Sequence, residues 1–98
     1  MIRIVYRWRV APEKFDEFQD TWRATTNHIH ETVPGALGSF MLRSQGDDTE
    51  VLTIARWDSL AAWEAFFKGD NPAQMTRMRE LGTRLSVEAF DEIEDHTR

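Results

Sequence analysis

Residues 51–67, with the sequence VLTIARWDSLAAWEAFF, change their hydrophobic period at Trp57. Before this residue the apolar and β-branched side chains alternate with a period of two, which predicts a β-strand. After it, large apolar side chains recur every three to four residues, as in an amphipathic helix: Leu60, Trp63 and Phe67. Asp58 or Ser59 is placed to cap the free N–H groups at the start of this helix. The chain therefore contains a strand that passes directly into a helix, with Thr53, Trp57 and Trp63 around the corner.

Composition and charge restrict the class of protein. The chain has 98 residues, a length that suits one domain. Its 12 basic and 17 acidic residues give a net charge of −5, which argues against a nucleic acid partner. The absence of cysteine excludes disulfides, thiolate metal sites and cysteine nucleophiles. Four Trp and six Phe residues suit a packed core, a covered interface or a pocket for a flat ligand.

The first residues enter a strand pattern at once. The sequence has no apolar run long enough for a signal peptide or a membrane-spanning helix. We therefore expect a cytoplasmic protein without a membrane partner. Residues 1–94 are predicted to form the domain, and residues 95–98 a polar tail that frays.

The first half of the chain predicts a strand, a helix and a hairpin. Residues 2–10 alternate as the first strand, and Pro12 suits the first turn of a helix that ends at residues 33–35. The apolar stripe of this helix consists of Phe15, Phe18, Trp22, Thr26 and Ile29. Residues 37–45 and 50–57 are predicted strands, and the Gly-Asp-Asp turn between them makes an antiparallel hairpin.

The second half predicts an interrupted helix and a last strand. The helix over residues 59–68 breaks at residues 69–72 and continues as a second piece with an apolar stripe: Met75, Met78 and Leu81. Residues 84–92 alternate again as a strand. The order is then β-α-β-β-α-β, and right-handed crossovers place both helices on one face of a four-stranded antiparallel sheet. We therefore predict a ferredoxin-like α+β fold.

This fold leaves the other face of the sheet without helices. The first three strands carry large apolar residues on both faces, unlike a sheet that is open to water on one side. Packing two such faces together would bury them, so we expect a homodimer built sheet against sheet. Arg7 and Arg9 of the first strand and Glu88 and Glu92 of the last are predicted to pair there.

Several short motifs, in their order and spacing, resemble the antibiotic biosynthesis monooxygenase superfamily. They are the helix from Pro12, the Pro34-Gly35-x-x-Gly38 turn, the Asp47-Asp48 turn and the passage Ile-Ala-Arg-Trp-Asp-Ser-x-x-Ala-Trp at residues 54–63. The resemblance covers nearly the whole chain. It implies a dimeric α+β barrel with a pocket between sheet and helices in each subunit.

The resemblance also implies a type of chemistry. In the quinone-forming members, O₂ oxidises an aromatic phenol or anthrone without metal or flavin, because the deprotonated substrate itself reduces oxygen. The implied protein uses no cofactor; it binds a flat substrate, stabilises its anion and excludes water. These members resemble this chain in a tryptophan at the end of strand three, matched by Trp57, but they carry asparagine where this chain has Thr53. Trp57 and Thr53 are therefore the catalytic candidates.

A second branch of the superfamily degrades haem. It needs a histidine on the helix after strand three and an asparagine on strand one. Residues 59–85 contain no histidine, and the first strand contains no asparagine. We therefore expect no haem chemistry.

Six further residues are candidates for substrate binding: Tyr6, Arg56, Trp63, Phe67, Met75 and Met78. Each also has a structural interpretation. The aromatic and Met side chains suit core packing, and Tyr6 suits the rim of a strand. Arg56 can anchor an anionic substrate or pair with Glu88 or Glu92.

The histidines predict neither a metal site nor a catalytic base. His28 and His30 lie about 200° apart around their helix, so they cannot grip one metal from the same face, and a solvated helix end is expected. His96 falls in the tail. We therefore expect a cofactor-independent monooxygenase acting on a small aromatic ligand, with a non-catalytic ligand-binding or stress-associated dimer as the alternative.

Overall fold

The computed structural model describes residues 1–69 and 73–97. These residues form four strands: β1 (Ile2–Arg9), β2 (Ala36–Arg43), β3 (Glu50–Trp57) and β4 (Thr83–Asp91). Three α-helices accompany them: α1 (Phe15–Thr32), α2 (Leu60–Lys68) and α3 (Ala73–Leu81). The strands form one antiparallel sheet in the order β2-β3-β1-β4. This is the predicted ferredoxin-like α+β fold.

The ends of the elements differ slightly from the predicted ones. Pro12–Lys14 form a single 3₁₀ turn, with Lys14 N donating to Ala11 O at 2.9 Å, before α1 begins. The third strand has the predicted bounds, whereas the other strands begin or end one or two residues away from them. Of the predicted break at residues 69–72, residues 70–72 lie outside the described residues.

One face of the sheet packs against the helices. Ile4, Tyr6 and Trp8 of β1 are buried on this face, and the ring of Phe18 meets Trp8 edge to face, with 5.1 Å between centroids. The predicted stripe of α3 is also buried: Met75, Met78 and Leu81. The residues that the alternation in β1 and the helical spacing in α3 predict to be buried therefore pack in the same core.

The opposite face of the sheet carries apolar side chains without a helix over them. Val5 of β1 lies opposite Ile54 of β3, which in turn lies opposite Phe40 of β2. Phe40 and Leu42 are 44% and 47% exposed, and Phe90 of β4 is 50% exposed. We call the surface formed by Val5, Phe40, Leu42, Leu52, Ile54 and Phe90 the open face.

Ion pairs cross this face in a different pattern from the predicted one. Arg7 pairs with Glu50 at 3.0 Å instead of with Glu88 or Glu92, because the neighbours of Arg7 in the sheet are Leu52 of β3 and Ser86 of β4. Glu92 accepts from Arg3 at 2.6 Å and from Arg56 at 3.0 Å. These bridges lie within one chain, so the open face neutralises much of its own charge.

None of the described helices combines the length and the apolar character that a membrane crossing requires.

Candidate functional site

The predicted strand-to-helix corner is closed by two local hydrogen bonds. Ser59, in extended conformation, caps α2 by accepting from Ala62 N through its hydroxyl at 3.1 Å. Asp58 N donates to Gly35 O at 3.0 Å, which ties the corner to the turn before β2. Trp57 is 3% exposed and packs on Phe66 with 5.4 Å between ring centroids. The corner is therefore a rigid wall under α2.

A half-open cavity of about 70 Å³ lies between the sheet and the helices. Its strand wall includes Tyr6 and Trp8 from β1 and Thr53 and Trp57 from β3. The helices contribute Phe66, Met75 and Met78, together with Trp22, Thr26, Ile29 and His30 from α1. The lining is predominantly aromatic and aliphatic, as in sites that bind small apolar ligands.

Tyr6 and Thr53 each contribute a hydroxyl-bearing side chain to this lining. Tyr6 lies directly opposite Thr53 in the pairing of β1 with β3, so both side chains point to the same face. Trp8 Nε1 donates to Thr53 Oγ1 at 3.1 Å, and Trp63 Nε1 donates to Tyr6 OH at 3.0 Å. Each hydroxyl therefore accepts a hydrogen bond from an indole.

Both hydroxyls keep their own proton available. Neither Tyr6 OH nor Thr53 Oγ1 donates to another described residue, whereas Ser39 and Thr25 donate to the carbonyl oxygens of other residues at 3.1 and 2.7 Å. Tyr6 is 8% exposed and Thr53 is 3% exposed. Each hydroxyl can therefore donate a hydrogen bond to a ligand in the cavity.

The pKa of Tyr6 favours a role as a hydrogen-bond donor. Burial raises the pKa of Tyr6 above its ordinary value of 10.0, while the Trp63 hydrogen bond and the positive charge of Arg84 act in the opposite direction. The raised pKa keeps the proton on the phenol at neutral pH. Tyr6 can therefore stabilise an anion, but it cannot act as a base.

The predicted site residues divide into two groups. Trp57, Thr53, Tyr6, Met75 and Met78 all line the cavity. The other three stand outside it or point away.

Trp63 touches the site only through its hydrogen bond to Tyr6, and Phe67 lies behind Trp63 with 4.9 Å between ring centroids. Arg56 borders the cavity, but its guanidinium donates to Glu92 at 3.0 Å. Of the two alternatives predicted for Arg56, the structure has the ion pair with Glu92, so this charge is not free to anchor a substrate.

The contribution of α1 to the cavity is larger than predicted. Trp22, Thr26 and Ile29 belong to the predicted apolar stripe of this helix, and they line the cavity as well as packing it. His30 is exposed, as expected for a helix end, yet it lies in the lining beside them. The sequence feature that could have indicated this position is that His30 directly follows Ile29 and so lies at the edge of the apolar stripe.

The fold and the cavity define a class of small ferredoxin-like α+β domains with an aromatic site between sheet and helices. This chain belongs to the antibiotic biosynthesis monooxygenase family, whose sequence model matches residues 1–77. A search of curated protein sequences gave no match.

Solved structures show the same fold. SnoaB, a cofactor-independent oxygenase from Streptomyces nogalater, superposes with a TM-score of 0.74 at 22% identity over 99% of this chain and 97% of that one. MhuD, a haem degrader from Mycobacterium tuberculosis with two haems bound in its active site, gives 0.78 at 20% identity over 99% and 100%. At these identities the likeness establishes the fold only.

The residues of this chain do not fit a haem. Helices α2 and α3 contain no histidine, and the imidazole among the described lining residues is that of His30 at the edge of α1. No group of three His, Asp or Glu side chains within residues 1–69 and 73–97 is arranged to hold a metal ion.

Proposed function

We propose that the protein is a cofactor-independent monooxygenase that oxidises a flat aromatic phenol, anthrone or quinol with O₂. The observation that carries this proposal is that Tyr6 and Thr53, which are paired across β1 and β3, both place a hydroxyl-bearing side chain in the lining of an aromatic cavity. A merely apolar binding pocket needs no such pair, since a buried hydroxyl proton without an acceptor costs free energy until a ligand oxygen accepts it. This observation favours catalysis over the non-catalytic alternative.

The hydroxyls act on the substrate anion. In an anthrone, loss of a proton leaves a phenolate-like oxygen, to which Tyr6 and Thr53 donate. Two donors then replace the two donors of the carboxamide found in the quinone-forming members. The apolar walls strengthen these hydrogen bonds because they exclude water.

Oxidation follows from the chemistry of the bound anion. The anion transfers an electron to O₂, and the resulting radical pair joins as a carbon-bound peroxide. The peroxide takes up a proton from the solvent, and loss of water from the resulting hydroperoxide leaves the quinone carbonyl. One O₂ thus converts the CH₂ group of an anthrone into C=O plus one H₂O, and no external reductant is consumed.

The size of the cavity requires its walls to move. Its volume of about 70 Å³ is smaller than the roughly 150 Å³ of a cavity that admits benzene. Met75 and Met78 are unbranched and can change rotamer at low cost. We therefore propose that a substrate enters by displacing these two side chains, while Trp57 stays in place as the fixed wall.

Oxygen uptake tests the proposed activity. With a panel of anthrones and hydroquinones, the parent protein is expected to consume O₂ well above the uncatalysed rate. Trp57→Phe and Thr53→Ala are expected to reduce uptake, the second by about 10²-fold because one donor to the anion is lost. Uptake at the uncatalysed rate for every substrate, with a ligand still bound, would establish the non-catalytic alternative.

We also propose that the protein is a homodimer that buries its open face. Phe40→Lys places a charge beside Ile54 in this face and is expected to give a monomer in light scattering at micromolar concentration. Leu60→Lys changes a similarly exposed apolar residue on α2 (44%) and should remain dimeric. A parent protein that is monomeric at this concentration would contradict the proposal.

A further inference from the structure

Just over half a helix turn separates His28 from His30, and only His30 reaches the cavity. Successive residues of an α-helix are separated by about 100°, so His30 lies about 80° from Trp22 and His28 lies about 120° away on the other side. His30 accordingly lines the cavity with Trp22 and Ile29, whereas His28 does not. Both side chains are exposed, which places the imidazole of His30 at the mouth rather than in the interior.

The strand opposite this mouth leaves space for the imidazole. Gly38 of β2 has φ of 103° and also lines the cavity. A Cβ atom at this position would lie 3.9 Å from Nδ1 of His30. The imidazole therefore reaches across from α1 to the backbone of β2, at the place where a ligand would pass.

The described lining offers little else that can take up a proton. It contains no Asp or Glu, and α2 and α3 contribute only Phe66, Met75 and Met78. The other ionisable residues that border the cavity are Tyr6 from β1 and Arg56 from β3. Tyr6 holds its proton at neutral pH, and Arg56 is permanently charged and paired with Glu92.

From this arrangement we propose that His30 is the base that deprotonates the substrate at the mouth of the cavity, an inference that rests on the proposed function. The O–H or acidic C–H bond of the substrate breaks, an N–H bond forms on the imidazole, and the electron pair stays on the substrate as its anion. The anion is then held by Tyr6 and Thr53. Because His30 is exposed, the imidazolium returns its proton to the solvent.

The test compares His30→Gln with His28→Gln, using 1,8-dihydroxyanthrone as the probe. His30→Gln is expected to lower kcat/KM for O₂ uptake by about 10²-fold, the usual contribution of a general base, while His28→Gln leaves it unchanged. Added imidazole should restore part of the activity of His30→Ala, which a merely structural role of His30 would not allow.

An anaerobic measurement separates this inference from the oxygenase proposal. Without O₂, the absorption band of the anthrone anion should appear when the probe binds the parent or His28→Gln at neutral pH, and not when it binds His30→Gln. An active parent whose His30→Gln variant keeps full activity and the anion band would overturn the role of His30 alone. Anion formation by the parent without O₂ uptake would support His30 and overturn the oxygenase. A parent that neither binds the probe nor consumes O₂ would overturn both.

Discussion

Gly35→Ala is expected to lower the free energy of unfolding by about 3–5 kcal/mol, because the new side chain would both strain the backbone and overpack its surroundings. Gly35 has φ of 90°, in the left-handed region that residues with a Cβ rarely adopt. An added Cβ would also lie 2.6 Å from Asp58 Oδ1 and 2.7 Å from Ala62 Cβ. For a domain of this size, the loss should lower the melting temperature by roughly 15–30 °C.

Gly46→Ala is the matched control for this substitution. Gly46 lies in the turn between β2 and β3 without a positive φ, and the nearest atom to an added Cβ is Ser44 Oγ at 3.9 Å. Its melting temperature should stay within a few degrees of the parent value, since the turn has room for a methyl group. Equal melting temperatures for the two variants would show that the turn at Gly35 can relax to accept a methyl group. The turn would then not hold the strand-to-helix corner in place.

Removing both cavity hydroxyls is expected to abolish most of the proposed activity. Each donor to a developing anion contributes about 10²–10³-fold, so Tyr6→Phe and Thr53→Val should each lower kcat for O₂ uptake by about this factor. The double variant should lose less than the product of the two, because both donors act on one oxygen. Steady-state oxygen consumption, corrected for the folded fraction of each variant, measures these effects.

The stability of the same variants separates a catalytic from a structural role. Thr53→Val leaves Trp8 Nε1 buried without an acceptor, which costs about 1–3 kcal/mol, whereas Thr53→Ser keeps the acceptor and the donor. Thr53→Ser should therefore retain both stability and activity. If Tyr6→Phe and Thr53→Val melt at lower temperature but keep the parent kcat, the hydroxyls serve only as acceptors for the two indoles.

Features that depend on near neighbours in sequence could be predicted. The burial of one face of β1 follows from strict alternation, and the cap of α2 by Ser59 follows from its position before the helical period begins. The stripe of α3 likewise follows from helical spacing. Each of these features involves side chains within a few positions of one another.

Features that depend on the joining of distant segments could not be predicted. Tyr6 meets Thr53 because β1 and β3 pair in one register, and a slip of one residue would send Thr53 to the open face. The hydrogen bonds from Trp8 and Trp63 follow from that register and from the position of α2. The position of His30 at the mouth depends on how far α1 is rotated over the sheet. The sequence does not show this rotation, because a histidine at a solvated helix end gives the same pattern.

The central position of β1 in the sheet also governs when the site can form during protein synthesis. β1 is made before both of its neighbours, β3 and β4, which come from the second half of the chain. Until residues 83–91 leave the ribosome, one edge of β1 has no strand to pair with, and such non-local pairing makes folding slow. The Tyr6–Thr53 pair therefore cannot form before β3 has been made, and the other edge of β1 stays unpaired until β4 follows.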